Sequence, residues 1–186
     1  MLKSPVIVVG LPRTGTTFVA RCLRDHYNVR MCLTGHVKPI EDGIKHEDTI
    51  EDKVIVGMNE KLFHKEISKN KYRSYMKEYF REMAKRSPLW GFKDPRIWRQ
   101  LHWIIKQRKG NLTIIRTYRQ PELMFRSQIY KLGWPLEQAV QVYNTVTKRL
   151  DTVLKNMSYI RVNFNEERRT EDEFVESFDK SLADIA

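Results

Sequence analysis

The spacing of apolar and polar positions changes repeatedly along this chain, and the changes divide it into alternating strands and helices. Val6 to Val9 is an uninterrupted β-branched run, the pattern of a strand buried on both faces, and with Pro5 it forms a first strand, Pro5–Val9. Gly10 to Gly15 breaks the run, and a helix follows from Thr16 to about His26. Short strands are predicted at Asn28–Leu33 and at Lys53–Gly57, with a polar, irregular stretch from Thr34 to Asp52 between them, the composition of a substrate loop. Tyr72, Tyr75, Met76, Tyr79, Phe80 and Met83 recur at helical spacing, so this segment is an amphipathic helix whose aromatic stripe is core packing, and Ser87-Pro88 ends it. Leu89–Phe92 is then a strand. Pro95–Gln107 reads as a helix with Ile97, Leu101, Ile104 and Ile105 inward. Asn111–Tyr118 is the next strand, and Pro121 opens another helix. Leu136, Val140, Tyr143, Thr147, Leu150 and Leu154 mark a long helix. Tyr159–Phe164 is the last strand, before an acidic terminal helix.

Strands alternating with helices predict an α/β fold: a three-layer sandwich with a mostly parallel central sheet between helices. Without repeats or a linker, the 186 residues read as one domain, 1–186. Apolar residues at 41% and charged residues at 31% exclude a disordered chain, and no apolar run approaches the ~20 residues of a membrane span. Cys22 and Cys32 are too few for a disulfide framework and lack metal-ligand spacing. Met1 stands only a few residues before the first apolar run, which leaves no room for a leader, so a reducing, cytoplasmic setting is the expectation.

The net charge of +11 changes the picture by calling for an anionic partner. It is unevenly spread: Lys61 to Arg86 carries nine basic residues against three acidic ones, whereas Glu166 to Ala186 is net acidic. The basic stretch is either a solvated helix face or a wall beside the site that draws in an acidic acceptor. No recognisable nucleic-acid motif accompanies it, so nucleic acid is not the expected partner.

Chemistry gathers at three strand ends, where parallel sheets bind ligands. The first is VIVVGLPRTGTT, Val6 to Thr17. Its Gly10-x4-Gly15 spacing between strand and helix is that of a P-loop, in which backbone N–H groups and the helix dipole converge on an anion. A nucleotide triphosphatase needs Lys after the second glycine; here Thr16 stands there, and Arg13 is the cation inside the loop. Thr16 and Thr17 add hydroxyl donors, and Arg13 can grip the same anion bidentately. The second is Arg119-Gln-Pro121 with Ser127 eight residues after the arginine, two turns into the next helix, where its hydroxyl and the guanidinium can share a phosphate. The third is WGFKDPR, Trp90 to Arg96. Pro95 at a first helical position makes Asp94 an N-cap rather than a base.

A lysine-free loop reading PRTGTTF, followed by a strand ending in Arg-x-Pro-x5-Ser, resembles the sulfotransferases that use 3′-phosphoadenosine 5′-phosphosulfate (PAPS). The Lys-Asp-Pro segment is nearest to the tyrosylprotein branch and its bacterial relatives. The resemblance implies that Arg13, Thr14, Gly15, Thr16 and Thr17 hold the phosphosulfate. It implies that Arg119 and Ser127 hold the 3′-phosphate, with Lys131 as a further contact. Arg13 and Lys93 would stabilise the transferring sulfuryl group, without a metal, and 3′,5′-adenosine bisphosphate (PAP) would be the product. The segment Val162 to Glu166 resembles the family's late strand, while the C-terminal Arg-Lys-Gly segment of cytosolic members has no clear counterpart, Arg168 and Arg169 being the substitutes.

A base must take the proton of the acceptor hydroxyl. His36, in the loop beyond the second predicted strand, is the candidate, with Glu41 and Asp42 behind it. The expected function is transfer of a sulfuryl group from PAPS to a hydroxyl of a carbohydrate, a peptide tyrosine or a small alcohol. A P-loop small-molecule kinase and a catalytically silent anion-binding protein of the same fold are the alternatives. The acceptor and the oligomeric state are not written in the sequence.

Overall fold

The computed structural model describes residues 2–32, 50–109, 111–164 and 171–183. Four strands, β1 (Val6–Val9), β2 (Gly91–Lys93), β3 (Thr113–Tyr118) and β4 (Ile160–Asn163), form one all-parallel sheet in the order β2-β1-β3-β4. β1 is wholly buried between β2 and β3, as its unbroken β-branched run requires. Its side chains alternate between two cores. Ile7 and Val9 face a core shared with helices α2 (Lys53–Phe63), α3 (Lys69–Arg86), α4 (Leu101–Arg108), α5 (Pro121–Leu132) and α6 (Leu136–Leu154). Val6 and Val8 face the other, built with α1 (Thr16–His26) and α7 (Glu171–Ala183). The sheet is therefore the middle of three layers. β4 is one outer strand, with Ile160 and Val162 inward and Arg161 and Asn163 exposed.

Register carries function here. Val8 pairs with Lys93, and Val9 pairs with Arg116, so the ends of β1, β2 and β3 finish at one rim of the sheet. The chain continues from that rim into the three segments that the sequence marks as chemical.

The predicted strand at Lys53–Gly57 is instead the first turns of α2. Asp52 explains the difference: its carboxylate caps the helix, accepting from the N–H of Val54 at 2.8 Å and of Ile55 at 3.4 Å. The β-branched run Val54-Ile55-Val56 looks extended, but its cap and the apolar positions at Ile55 and Met58 make it a helix face. At Asn28–Leu33 the described residues hold a single bridge, Arg30 to Trp90, rather than a strand. The left-handed Asn28 (φ 53) precedes this bridge and turns the chain from α1 toward β2, where Arg30 makes the one pairing. Pro95–Gln107 is divided into a 3-10 turn at Ile97–Arg99 and α4, with Ile97, Leu101 and Ile104 buried as expected. In α6 the inward stripe runs through Ala139, Val146, Leu150 and Leu154, while Leu136 is 55% exposed. Among the described residues no helix is long and apolar enough to cross a membrane.

Asp52 is fully buried, and besides capping α2 it accepts from the Tyr79 hydroxyl of α3 at 3.1 Å. One carboxylate thus joins two helices. Asp52→Ala removes the cap and leaves a buried phenol unpaired, for an expected loss of about 2–3 kcal/mol in urea unfolding. A loss under about 0.5 kcal/mol, the range of ordinary surface substitutions, would show that the cap is dispensable.

Candidate active site

The loop after β1 is braced from several sides. Thr14 is buried, its Oγ1 2.7 Å from the Leu11 carbonyl and 2.7 Å from Thr117 Oγ1 at the end of β3. Two glycines are there for room. A Cβ on Gly10 would meet Thr117 Oγ1 at 2.1 Å, and one on Gly15 would meet the Phe164 ring at 2.5 Å. Gly15 is also left-handed, at φ 87, where it turns the chain into α1. No side chain caps α1, so its first-turn amides and positive dipole end face the loop's concavity.

Arg13 is left-handed as well, at φ 72, a conformation that side chains other than glycine adopt at a cost of about 1–2 kcal/mol. What holds it is the second motif. Arg119 Nη1 donates to the Arg13 carbonyl at 3.2 Å, Gln128 Nε2 donates to the Pro12 carbonyl at 3.0 Å, and Arg13 Nε donates to Ser127 Oγ at 2.9 Å. The structure therefore brings Arg13, Arg119 and Ser127 together across more than a hundred residues of sequence. Arg119 Nε is buried without a hydrogen-bond partner, a donor positioned for a group that can accept from it. Lys131, one turn past Ser127, is exposed, with its ammonium 5.8 Å from the ring centre of Tyr130.

The third strand end supplies a buried cation. Lys93, 3% exposed, donates to Glu51 Oε1 at 2.5 Å. The other Glu51 oxygen lies 3.4 Å from Arg96 Nη2, and Arg96 in turn binds Asp94 at 2.8 Å and Glu60 at 2.9 Å. Burial works against the Arg96 charge, but Asp94, then Glu51 and Glu60, hold its pKa above the ordinary guanidinium value. Asp94 serves structure, as the Pro95 reading expects. Its carboxylate accepts from the Arg96 N–H at 2.9 Å and from Asn59 Nδ2 at 2.7 Å, and Asn59 accepts from the Tyr72 hydroxyl. Asp94 receives the Arg96 N–H just ahead of the 3-10 turn, whose N-cap residue, Arg96, makes no side-chain capping bond, and not at the start of a continuous helix.

Beside the loop lies a cleft of about 690 Å³. Pro12 and Glu51 line it together with Trp98, Trp134, Gln138 and Gln141, among others. Glu51 therefore touches Lys93 and also faces the cleft. His36, Glu41 and Asp42 lie outside the described residues.

A family model for the sulfotransferase family matches residues 5–175. The chain belongs to the sulfotransferase family. No curated protein matches it. Among solved structures, shikimate kinase from Bacteroides thetaiotaomicron is similar at a TM-score of 0.58 and 13% identity, over 96% of this chain and 98% of that one. Shikimate kinase from Acinetobacter baumannii in complex with shikimate is similar at 0.52 and 16%, over 96% and 92%. At these identities the likeness is one of fold, the P-loop α/β fold that this sulfotransferase shares with kinases.

Sequence reasoning missed two residues of the site. Gln128 stands next to Ser127, but its role lies in a contact with a carbonyl more than a hundred residues away. Glu51 precedes the helix-capping Asp52, and reading α2 as a strand hid it in the loop. Gln128 is fully buried and its Oε1 has no partner, so Gln128→Leu removes one hydrogen bond and one orphaned acceptor together. Unfolding stability should then stay within about 1 kcal/mol of wild type, because the two effects oppose. Pyrophosphate binding should weaken about tenfold, since Pro12 loses its tether; each tenfold is about 1.4 kcal/mol. Unchanged pyrophosphate affinity would show that the loop keeps its shape without Gln128.

Proposed function

We propose that the protein transfers a sulfuryl group from PAPS to a hydroxyl of an acceptor held in the cleft beside the loop. The observation that carries this reading is the junction of the two anion motifs: Arg13, Arg119 and Ser127 meet at a loop with no lysine, and Arg119 keeps a buried, unpartnered Nε. A phosphate oxygen at that nitrogen would supply the missing acceptor, so the residues present fit the group. In this reading the first-turn amides of α1, with Gly15, Thr16 and Thr17, bind the phosphosulfate, and Thr14 keeps the loop in shape. Arg119 and Ser127 hold the 3′-phosphate, with Lys131 in reach along the same helix.

When bound, PAPS supplies a sulfuryl group on a phosphate leaving group: the acceptor oxygen forms a bond to sulfur as the bond from sulfur to the bridging oxygen breaks, leaving PAP. The work of the protein is to position and to stabilise charge. Lys93 is a preorganised, desolvated cation at the end of β2, suited to negative charge that develops beside the loop. Glu51 lines the cleft and is the described carboxylate best placed to take the acceptor's proton, and its contact with Lys93 couples the two tasks. His36 is the competing base.

Calorimetry with PAP, beside ATP and Mg²⁺, tests the donor. PAP should bind without metal and more tightly than ATP, and Arg119→Ala should weaken it at least tenfold, about 1.4 kcal/mol. ATP with Mg²⁺ binding in its place would make the loop that of a kinase. Transfer of labelled sulfate to saccharide and phenol acceptors tests the chemistry. Lys93→Met should leave PAP affinity within a few-fold while the rate falls about 10²–10³-fold, the scale of losing one charge-stabilising donor. Comparing Glu51→Gln with His36→Asn identifies the base, since only the true base should abolish transfer while PAP still binds.

A further inference from the structure

The cleft has a second chamber. A hollow of about 460 Å³ adjoins it and shares Phe63, Arg96 and Arg99 with it. The two differ in chemistry. The chamber next to the loop carries the indoles of Trp98 and Trp134 and two amides on one face of α6, Gln138 and Gln141. The outer one carries Lys65 and Lys69, so of the basic stretch before and along α3 these two residues do border the site.

Arg99 stands where the chambers meet. Its guanidinium lies 4.3 Å from the ring centre of Phe63 and 5.2 Å from that of Trp98. Phe63 is 58% exposed, so this stack sits at the mouth rather than in the core. Arg96 is surrounded by Asp94, Glu51 and Glu60, but no carboxylate among the described residues forms an ion pair with Arg99. Burial, and then the Arg96 charge, hold its pKa below the ordinary guanidinium value, with Asp94 opposing only in part. A stacked guanidinium keeps its N–H edge open, the geometry that receives a carboxylate bidentately.

Indole faces suit the C–H face of a sugar ring, and side-chain amides suit its hydroxyl edges. Both chambers fall in the ~300–1,000 Å³ range of ligand clefts, each large enough for a sugar unit. We infer that the acceptor is an acidic oligosaccharide: its reacting sugar sits between Trp98, Trp134 and the α6 amides, and the carboxylate of the adjoining sugar sits at Arg99 with Lys65 and Lys69. A peptide's main-chain N–H groups would find acceptors here chiefly in the side-chain amides and Glu51, since the indoles and cations that line the chambers donate and do not accept. The inference rests on the reading of the loop as the sulfuryl-donor site, and the test separates the two.

The probes are a uronate-containing tetrasaccharide, the same tetrasaccharide with its carboxyl groups reduced to alcohols, and a tyrosine peptide flanked by acidic residues. Each is titrated calorimetrically into the whole protein, with and without saturating PAP. The uronate probe should bind at least tenfold more tightly than the reduced one, and both more tightly than the peptide. Arg99→Ala and the pair Lys65→Ala/Lys69→Ala should erase the preference for uronate while leaving affinity for the reduced probe and for PAP unchanged. Arg99 and the two lysines are exposed, so these variants keep the fold, and an unchanged unfolding midpoint checks it. Equal binding of charged and reduced sugars, a uronate preference that survives Arg99→Ala, or tighter binding of the peptide would each overturn the inference. If PAP does not bind at all, the donor reading fails, and the uronate preference measured without PAP still decides this one.

Discussion

The structure of the site depends on how the backbone of residues 12 and 13 is held. A left-handed Arg13 turns the Pro12 and Arg13 carbonyls out of the loop, and a loop with outward carbonyls keeps its N–H groups inward only if those carbonyls are met. Gln128 meets the first and Arg119 the second. Both come from the segment after β3, the strand that pairs directly with β1. The strain of the loop is therefore balanced by a neighbour that parallel pairing fixes, and the two anion motifs are a single mechanical unit. Gly10 and Gly15 are its complement: where Thr117 and Phe164 press against the loop, only a hydrogen fits.

The second dependence is electrostatic. A lysine as buried as Lys93 needs a counter-charge, and breaking such a pair by removing one partner typically costs about 3–5 kcal/mol. Glu51 supplies that charge from the residue before the cap of α2, while Arg96, itself held by Asp94 and Glu60, keeps Glu51 in place. The position of Glu51 thus follows from the Asp52 cap, which follows from the packing of α2 against α3. Folding and charge placement are one problem at this strand end, because the residue that neutralises Lys93 also faces the cleft.

Legibility in the sequence tracked the range of the interactions. The P-loop, α1, α3, β3, α5 and the last strand were readable because each is set by its own periodicity and its own breaker: Val6–Val9 before Gly10, the aromatic stripe before Pro88, Pro121 at the start of α5. The errors lie where one contact overrides the periodic pattern. Val54-Ile55-Val56 reads as a strand until Asp52 is seen to cap it, and Asn28–Leu33 reads as a strand, whereas its described residues make one bridge, Arg30 to Trp90, after the left-handed Asn28. The stripe on α6 slipped because Leu136 lies in the first turn beside solvent, while Ala139, small enough to pack closely, does the burying. Among the residues at the strand ends, motif spacing singled out Arg13, Arg119 and Ser127, and the resemblance singled out Lys93. Gln128 and Glu51 were not found, since each acts on a partner distant in sequence.

The likeness to kinase folds sharpens what the missing lysine means. A P-loop kinase carries its phosphate-binding lysine in the loop itself, directly after the second glycine. In this chain that position is Thr16, buried at the start of α1, and the positive charge reaches the same concavity from other elements: Arg13 from within the loop, Lys93 from β2, Arg119 from the end of β3. Because these elements end at one rim of one parallel sheet, cations on the loop's neighbours can replace a loop lysine and leave the shape of the cradle intact. With Arg13 as the loop's cation and no lysine after the second glycine, the cleft side of the loop is lined by Pro12 and Glu51. The shared fold therefore sets the cradle, and what differs is where the cations stand around it.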